Sequence, residues 1–418
     1  MILRIKLLCR LGIEKVGKKD LIRFLYVGIL IASFGDKILR PSEDSKITLF
    51  RILVPVMTLL LFYTKPIRVY NYILLLIVTL AYSLLASYTS PYSTFSFAAY
   101  LNFFTLIPFW WLCIDLREQN DEFFLYNLSR GIVYITLLLC VIQFFFGGVY
   151  FNTQNRLPEV NIYFNNGNEL GLALSSFVPL YFFLERGRFK KIVVISLIIF
   201  LSWHNHARGT FFSVILFLFM YYNVVLFMRY KLLYLAFFVL VSVFSLSFIL
   251  NFRIFGITVI DFFIEPLKHL VQLDPIKPNI GSITMRVNNI IFGIKEFKDN
   301  YLIGIGPDNS RAMVQSHIVY RAFSTQSMHN MVFQIVTEWG ILGILFMGYF
   351  FRSIYIRIVE KTLPNFLLMF SIFLSLILAS SISSGPFVNY AYLFMFYSTI
   401  LYLPEIITRF NDEYERKG

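Results

Sequence analysis

The feature that most limits what this chain can become is the return, again and again, of apolar runs about as long as a bilayer is thick. A transmembrane helix needs roughly 20 predominantly apolar residues, and runs of that kind recur from Leu21 nearly to the C-terminus. By this length rule about 12 spans are expected. They fall at 21–35, 47–62, 71–87, 95–114, 123–147, 168–184, 192–203, 210–228, 232–252, 331–351, 363–380 and 386–403. With 58% hydrophobic and only 15% charged residues, the chain is too apolar for a soluble fold. The expected class is an all-α polytopic membrane protein. Its organisation reads as a basic amphipathic segment at 1–20, transmembrane helices one to nine at 21–252, one large loop at 253–330, transmembrane helices ten to twelve at 331–403, and a tail at 404–418.

A formal charge of +13 suggests nucleic acid in a soluble protein; here the placement of the charges points elsewhere. One alternating set of connectors holds Lys65, Arg68, Arg117, Arg186, Arg188, Lys190, Lys191, Arg229, Lys231, Arg352, Arg357 and Lys361. The positive-inside rule assigns that set to the cytoplasm. An even span count then puts both basic termini on the same side. The opposite connectors carry only Lys37, Arg40, Lys46, Arg156 and Arg208, apart from the long loop, which that rule does not govern. Residues 1–20 suit either a helix lying on an anionic leaflet or a solvated basic tail. The first apolar run reads as a retained span, since many more follow. Cys9, Cys113 and Cys140 offer no disulfide framework and no zinc cluster.

On this topology the connectors near Asn165, near Arg208 and over 253–330 open on one face, the extracytoplasmic one. In the large loop, Ile283, Val287, Ile290, Ile291, Ile294 and Phe297 recur at helical spacing, which predicts an amphipathic helix ended by the turn "GIGPDNS". Arg286 lies near the start of that helix, after the candidate cap Ser282, where the helix dipole disfavours a cation. Either the guanidinium snorkels or pairs with a loop acid, or an external anion reverses the penalty. A guanidinium fork beside helix N-terminal amides is a strong phosphate site. "SWHNHARGTFF" places His204, His206 and Arg208 at the start of a span, the arginine open to an interfacial or a functional reading. His204 and His206 have no third ligand in the sequence nearby and read as non-metal residues. In "YFNNGNELG", Asn166 and Gly167 mark a turn, Asn168 can cap and Glu169 suits a first helical turn; a sugar contact from Asn165 or Asn168 is an additional reading.

The stretch "QSMHNMVFQIVTEWGILG" opens a membrane span with a histidine. Ser327 can cap a helix whose first turn contains His329. The positive end of that helix disfavours imidazolium and leaves a neutral base that can accept a proton. The plain alternative is an interfacial histidine bonded to water or lipid. Glu338 lies nine residues on, about 13 Å along a continuous helix. It marks the interface, together with Trp339 and Gly340, or it is an intramembrane acid and therefore a functional candidate.

"TMRVNNIIFGIKEFKDNYLIGIGPDN" followed by "HNMVFQIVTEWGILG" resembles the shared signature of bacterial O-antigen polymerases and O-antigen ligases. "HARGTFF" is similar to the family's arginine at a span start, with Ala207 where a serine is common. The likeness covers about residues 160–345. It implies a GT-C-like glycosyltransferase of the inner (plasma) membrane whose donor is a glycan on undecaprenyl pyrophosphate. By position, Arg208 and Arg286 would bind the pyrophosphate and His329 would serve the acceptor hydroxyl. Asn330, Glu338, Arg311 and Asn168 would line the substrate side. The partners implied are the lipid-linked oligosaccharide, a lipid-linked acceptor, membrane lipids and a chain-length regulator protein, with no nucleic acid. Arginines suffice for a developing pyrophosphate charge, and acids such as Asp36, Glu43 and Asp44 form no Asp-x-Asp pattern, so neither metal nor cofactor is expected. The polymerase reading leads. A ligase transferring to lipid A core remains open. A transporter of lipid-linked glycan fits less well, because the ionisable groups cluster at span ends and no internal repeat is visible.

Overall fold

The computed structural model describes residue 28, residues 66–92, short pieces between residues 95 and 117, and residues 123–146, 150–151, 158–160, 167–205, 207–230, 253–254, 257–258, 268–276, 282–317, 328, 330–356, 362–380 and 390–415. The expected basic segment 1–20 and the expected spans 21–35, 47–62 and 232–252 lie outside these residues, residue 28 excepted. Helices occupy the other expected spans, with 95–114 described only in pieces.

The principal helices are α1 (Pro66–Thr89), α2 (Phe124–Phe145), α3 (Gly167–Leu184), α4 (Arg188–His204), α5 (Arg208–Arg229), α6 (Ser282–Asp299), α7 (Asn309–Ser316), α8 (Met331–Ile356), α9 (Leu363–Ser380), α10 (Tyr390–Leu401) and α11 (Leu403–Glu415). Strands among the described residues form two short antiparallel pairs. β1 (Tyr150–Phe151) pairs with β2 (Pro158–Glu159), and β3 (Arg253–Ile254) with β4 (Ile257–Thr258).

The bundle is built around α3. Leu170, Leu174, Phe177, Val178 and Tyr181 are all buried, as a helix apolar on every side must be. It packs against α2, α4, α5, α9, α10 and α11. Glycine allows the closest of these approaches: a Cβ on Gly171 would stand 2.7 Å from the Thr210 hydroxyl of α5. The Thr399 hydroxyl of α10 donates to the Ser176 carbonyl of α3 at 2.9 Å, near the Pro179 interruption. The Ser375 hydroxyl of α9 likewise donates to the Ser213 carbonyl of α5 at 2.9 Å.

Among the described residues, Phe124–Phe145, Gly209–Arg229 and Val332–Arg352 are long and apolar enough to cross a membrane. The pair Ala391–Leu401 and Leu403–Asp412, bent by 52°, adds a fourth if it is one span. Their outer faces carry exposed Ile135, Leu138, Phe219 and Leu345, the side chains a bilayer would cover. The chain is an integral membrane protein.

Polar groups gather at the C-terminal end of α3. Arg409 donates to the Phe183 and Leu184 carbonyls at 3.2 and 2.9 Å, filling acceptors that a helix end leaves open and complementing its dipole. Arg130 pairs with Glu185 at 3.3 Å, and Arg117 pairs with Glu405. Burial alone would raise the Glu185 carboxyl, but the Gly187 amide and Arg130 hold it below its ordinary value. Residues 403–415, read from sequence largely as a tail, form a helix with Ile406, Ile407 and Phe410 turned inward.

Candidate functional site

Helix α8 is broken where the sequence reads Glu338-Trp339-Gly340. Gly340 has φ 54° and ψ −136°, a conformation open to glycine and costly for other residues. In an unbroken helix the Ile341 and Leu342 amides would donate to the Thr337 and Glu338 carbonyls. Instead Ile341 N–H donates to the Leu302 carbonyl, and the Thr337 and Glu338 carbonyls accept from Ile305 and Gly306, each at 2.9 Å. The Gly-x-Gly turn predicted from sequence is thus the partner of the break. Gly304 lies against it so closely that a Cβ would meet the Gly340 nitrogen at 2.6 Å and the Glu338 carbonyl at 2.8 Å. Tyr82 of α1 donates to the Ile303 carbonyl at 3.0 Å. Non-helical backbone at membrane depth persists only when protein groups satisfy it, and here they do.

Beyond the turn, Asp308 precedes α7 with φ 69°, and Asn309 Nδ2 donates to the Ile305 carbonyl at 2.6 Å. The Ser310 hydroxyl, on the first turn of α7, donates to the Glu338 carboxylate, which also accepts from Gln334 Nε2 at 3.1 Å. Glu338 is only 6% exposed, so its partners are protein groups and its contacts fasten α7 to α8.

Helix α6 lies across α8 with almost no gap, since a Cβ on Gly293 would fall 2.4 Å from the Thr337 hydroxyl. A second small core of Phe292, Ile305, Met313, Val314 and Met328, with Tyr92 and Phe333 against it, joins α6, α7 and the turn. Tyr92 donates to Glu296 Oε1 at 2.7 Å, and Asn300 Nδ2 donates to Oε2 at 3.2 Å. Burial, reinforced by Glu296, raises the Tyr92 hydroxyl above its ordinary pKa and keeps it a donor.

Arg286 stands in the second turn of α6 as a half-buried cation. Its Nε is sealed from solvent and, among the described residues, has no acceptor. Burial lowers its pKa, although a guanidinium keeps its proton. A charged donor without an acceptor is costly, and an incoming oxyanion would relieve it. Ser282 is the first residue of α6 and not its cap.

The sequence-expected residues fall into two assemblies. Arg286, Arg311, Asn330 and Glu338 lie on or next to the mutually packed α6, α7 and α8. Arg311 is exposed on α7. Helix α8 begins at Met331 with Asn330 as its cap, whose Oδ1 accepts from the Phe333 amide at 3.1 Å. The cap expected at Ser327 is therefore corrected to Asn330: an asparagine directly before the first helical residue reaches that amide first. His329, Ser327 and His206 lie outside the described residues.

The second assembly is at the start of α3 and α5. Helix α3 begins at Gly167, so Asn168 is an exposed residue of its first turn and not the expected cap. Arg208 is the first residue of α5, directly after buried Ala207. His204 packs edge-on against Phe144 with centroids 5.2 Å apart. Among the described residues no cluster of three His, Cys, Asp or Glu side chains could hold a metal ion.

Sequence reasoning passed over Asn205, Asn288, Ser310 and Tyr92. Each asparagine lies within three residues of a candidate arginine, and that proximity was the available signal.

No curated protein matches the chain. A family model described as O-Antigen ligase matches residues 192–348, from within α4 to within α8. The matched stretch contains Arg208, Arg286, His329, Glu338 and Gly340, so over these residues the chain is similar to that family.

Proposed function

We propose that this protein is a polymerase of O-antigen or a related surface polysaccharide, transferring a glycan from undecaprenyl pyrophosphate to a lipid-linked repeat unit at the outer face of the inner membrane. The observation that carries the reading is Arg286, a half-buried guanidinium whose sealed Nε has no acceptor among the described residues, on a helix inside the matched stretch. In the reaction, the acceptor oxygen forms a bond to the anomeric carbon as the bond to the pyrophosphate oxygen breaks, with inversion. The acceptor proton passes to His329, and the leaving pyrophosphate keeps the electron pair. Arg208 and Arg286 stabilise charge that grows toward the transition state, so no divalent ion is assigned to it. Glu338 serves the substrate side by fastening α7 to α8 and Asn330 by capping α8, while Arg311 and Asn168 offer exposed polar groups to the glycan.

Charge asymmetry supports cytoplasmic termini and an extracytoplasmic 253–330 loop. A chain-length regulator is the protein partner this reading implies. The ligase reading shares the donor and the family match, and differs in its acceptor, lipid A core. The test compares His329→Ala with His317→Ala in one complementation assay, scoring glycan ladders and protein level together. General-base assistance is worth about 10²–10⁴-fold. His329→Ala should leave single repeat units at normal protein level while His317→Ala keeps its ladder. A normal ladder from His329→Ala, or equal loss from both, contradicts the assignment.

A further inference from the structure

Two buried asparagines make the same unusual contact. Asn288 Oδ1 accepts from the Ile276 amide at 2.9 Å, and its Nδ2 donates to the Ile276 carbonyl at 3.1 Å. Asn205 Oδ1 accepts from the Val160 amide at 2.9 Å, and its Nδ2 donates to the Val160 carbonyl at 2.7 Å. Each side-chain amide takes the place of a neighbouring strand and satisfies both polar groups of one residue. The asparagines are 1% and 2% exposed. A carboxylate could accept but not donate, and a leucine could do neither.

The clamped residues belong to connectors. Val160 directly follows β2, so Asn205 ties the β1–β2 hairpin to the turn between α4 and α5. The fit there is close, as a Cβ on Gly167 would lie 2.6 Å from the Asn205 Cβ. Three residues later Arg208 opens α5. Ile276 belongs to the connector before α6, and Asn288 sits two residues beyond Arg286. At about 100° per residue the two side chains leave α6 on nearly opposite faces. A clamp on one face therefore sets the rotation of the helix and, with it, where Arg286 is presented.

We propose that Asn205 and Asn288 are positioning residues, each fixing the aim of one pyrophosphate arginine by clamping a connector to the helix end that bears it. This rests on the pyrophosphate role proposed above for Arg208 and Arg286. Neither asparagine is assigned a contact with the reacting atoms.

The experiment measures binding of undecaprenyl pyrophosphate to the full chain in lipid nanodiscs, from neutral to acid pH, with thermal unfolding recorded in parallel. Asn288→Asp loses the donor while ionised and regains it when protonated. At neutral pH, with the donor lost and the connector released from α6, it should bind about tenfold more weakly than the parent. The ratio to the parent should return toward one as the pH falls. Asn288→Ala should bind weakly at every pH, and Asn205→Asp should repeat the acid recovery. If the alanine variant fails to fold, the acid recovery of the aspartate variants decides. Parent-like binding by Asn288→Asp at neutral pH, or a deficit that does not change with pH, overturns the clamp. Parent-like binding by Arg286→Ala instead defeats the pyrophosphate reading itself, whatever the asparagine variants do.

Discussion

Gly340 and Ile303 meet backbone to backbone: a Cβ on Gly340 would stand 2.2 Å from the Ile303 carbonyl oxygen. With φ at 54° as well, Gly340→Ala combines a strained backbone with an overlap against atoms that cannot turn aside. The two costs together should reach about 3 kcal/mol or more. Thermal unfolding in detergent should show a marked fall in midpoint, while Gly348→Ala, where a Cβ meets nothing within 4 Å among the described residues, should leave it unchanged. Equal midpoints for the two variants would mean the break in α8 is not held as described.

Tyr301 occupies a position that helices usually give to glycine. Leu302 N–H donates to the Phe297 carbonyl at 2.9 Å and Tyr301 N–H to the Lys298 carbonyl at 3.1 Å, the paired bonds that close a helix end through a left-handed residue. Tyr301 has φ 55° and is 84% exposed, so its ring contributes little packing. Tyr301→Gly should stabilise the protein by about 1 kcal/mol, the left-handed penalty removed. A lower unfolding temperature would show that the ring anchors the turn.

Glu185 couples stability to pH. Its carboxyl is held below the ordinary value by the Gly187 amide and Arg130, against the opposing effect of burial. A carboxylate of depressed native pKa stabilises fully above its unfolded value of about 4.3 and loses that contribution as the pH falls through the native value. Glu185→Gln should lower the unfolding midpoint at neutral pH and should converge with the parent in acid. A difference that stays constant down to strongly acid pH would contradict this.

What could be read in advance, and what could not, follows the range of the interactions. The apolar stretch 363–380 coincides with α9, and the spacing from Ile283 to Phe297 coincides with α6, because hydrophobic period is a local property. The break at Gly340 was hidden, since glycine is common in membrane helices and the apolar run continues through it. Its meaning lies in Leu302, Ile305 and Gly306, far upstream. Asn205 was passed over because its partner Val160 is 45 positions away. Arg286 and Glu338 were legible as charges in unusual places, but only the fold separates them: one carboxylate satisfied by Ser310 and Gln334, one guanidinium nitrogen without an acceptor among the described residues.

The most direct test of the account is glycan transfer by the purified protein from its lipid-linked donor in excess chelator, comparing the parent with Arg286→Lys and Arg286→Ala at matched protein level. The parent should keep its rate without divalent ions. Lysine keeps the charge but loses the planar fork and should turn over markedly more slowly. Alanine should abolish transfer. Full activity in Arg286→Ala, or a parent whose activity vanishes in chelator and returns with magnesium or manganese, would contradict the claim that this half-buried arginine carries the pyrophosphate.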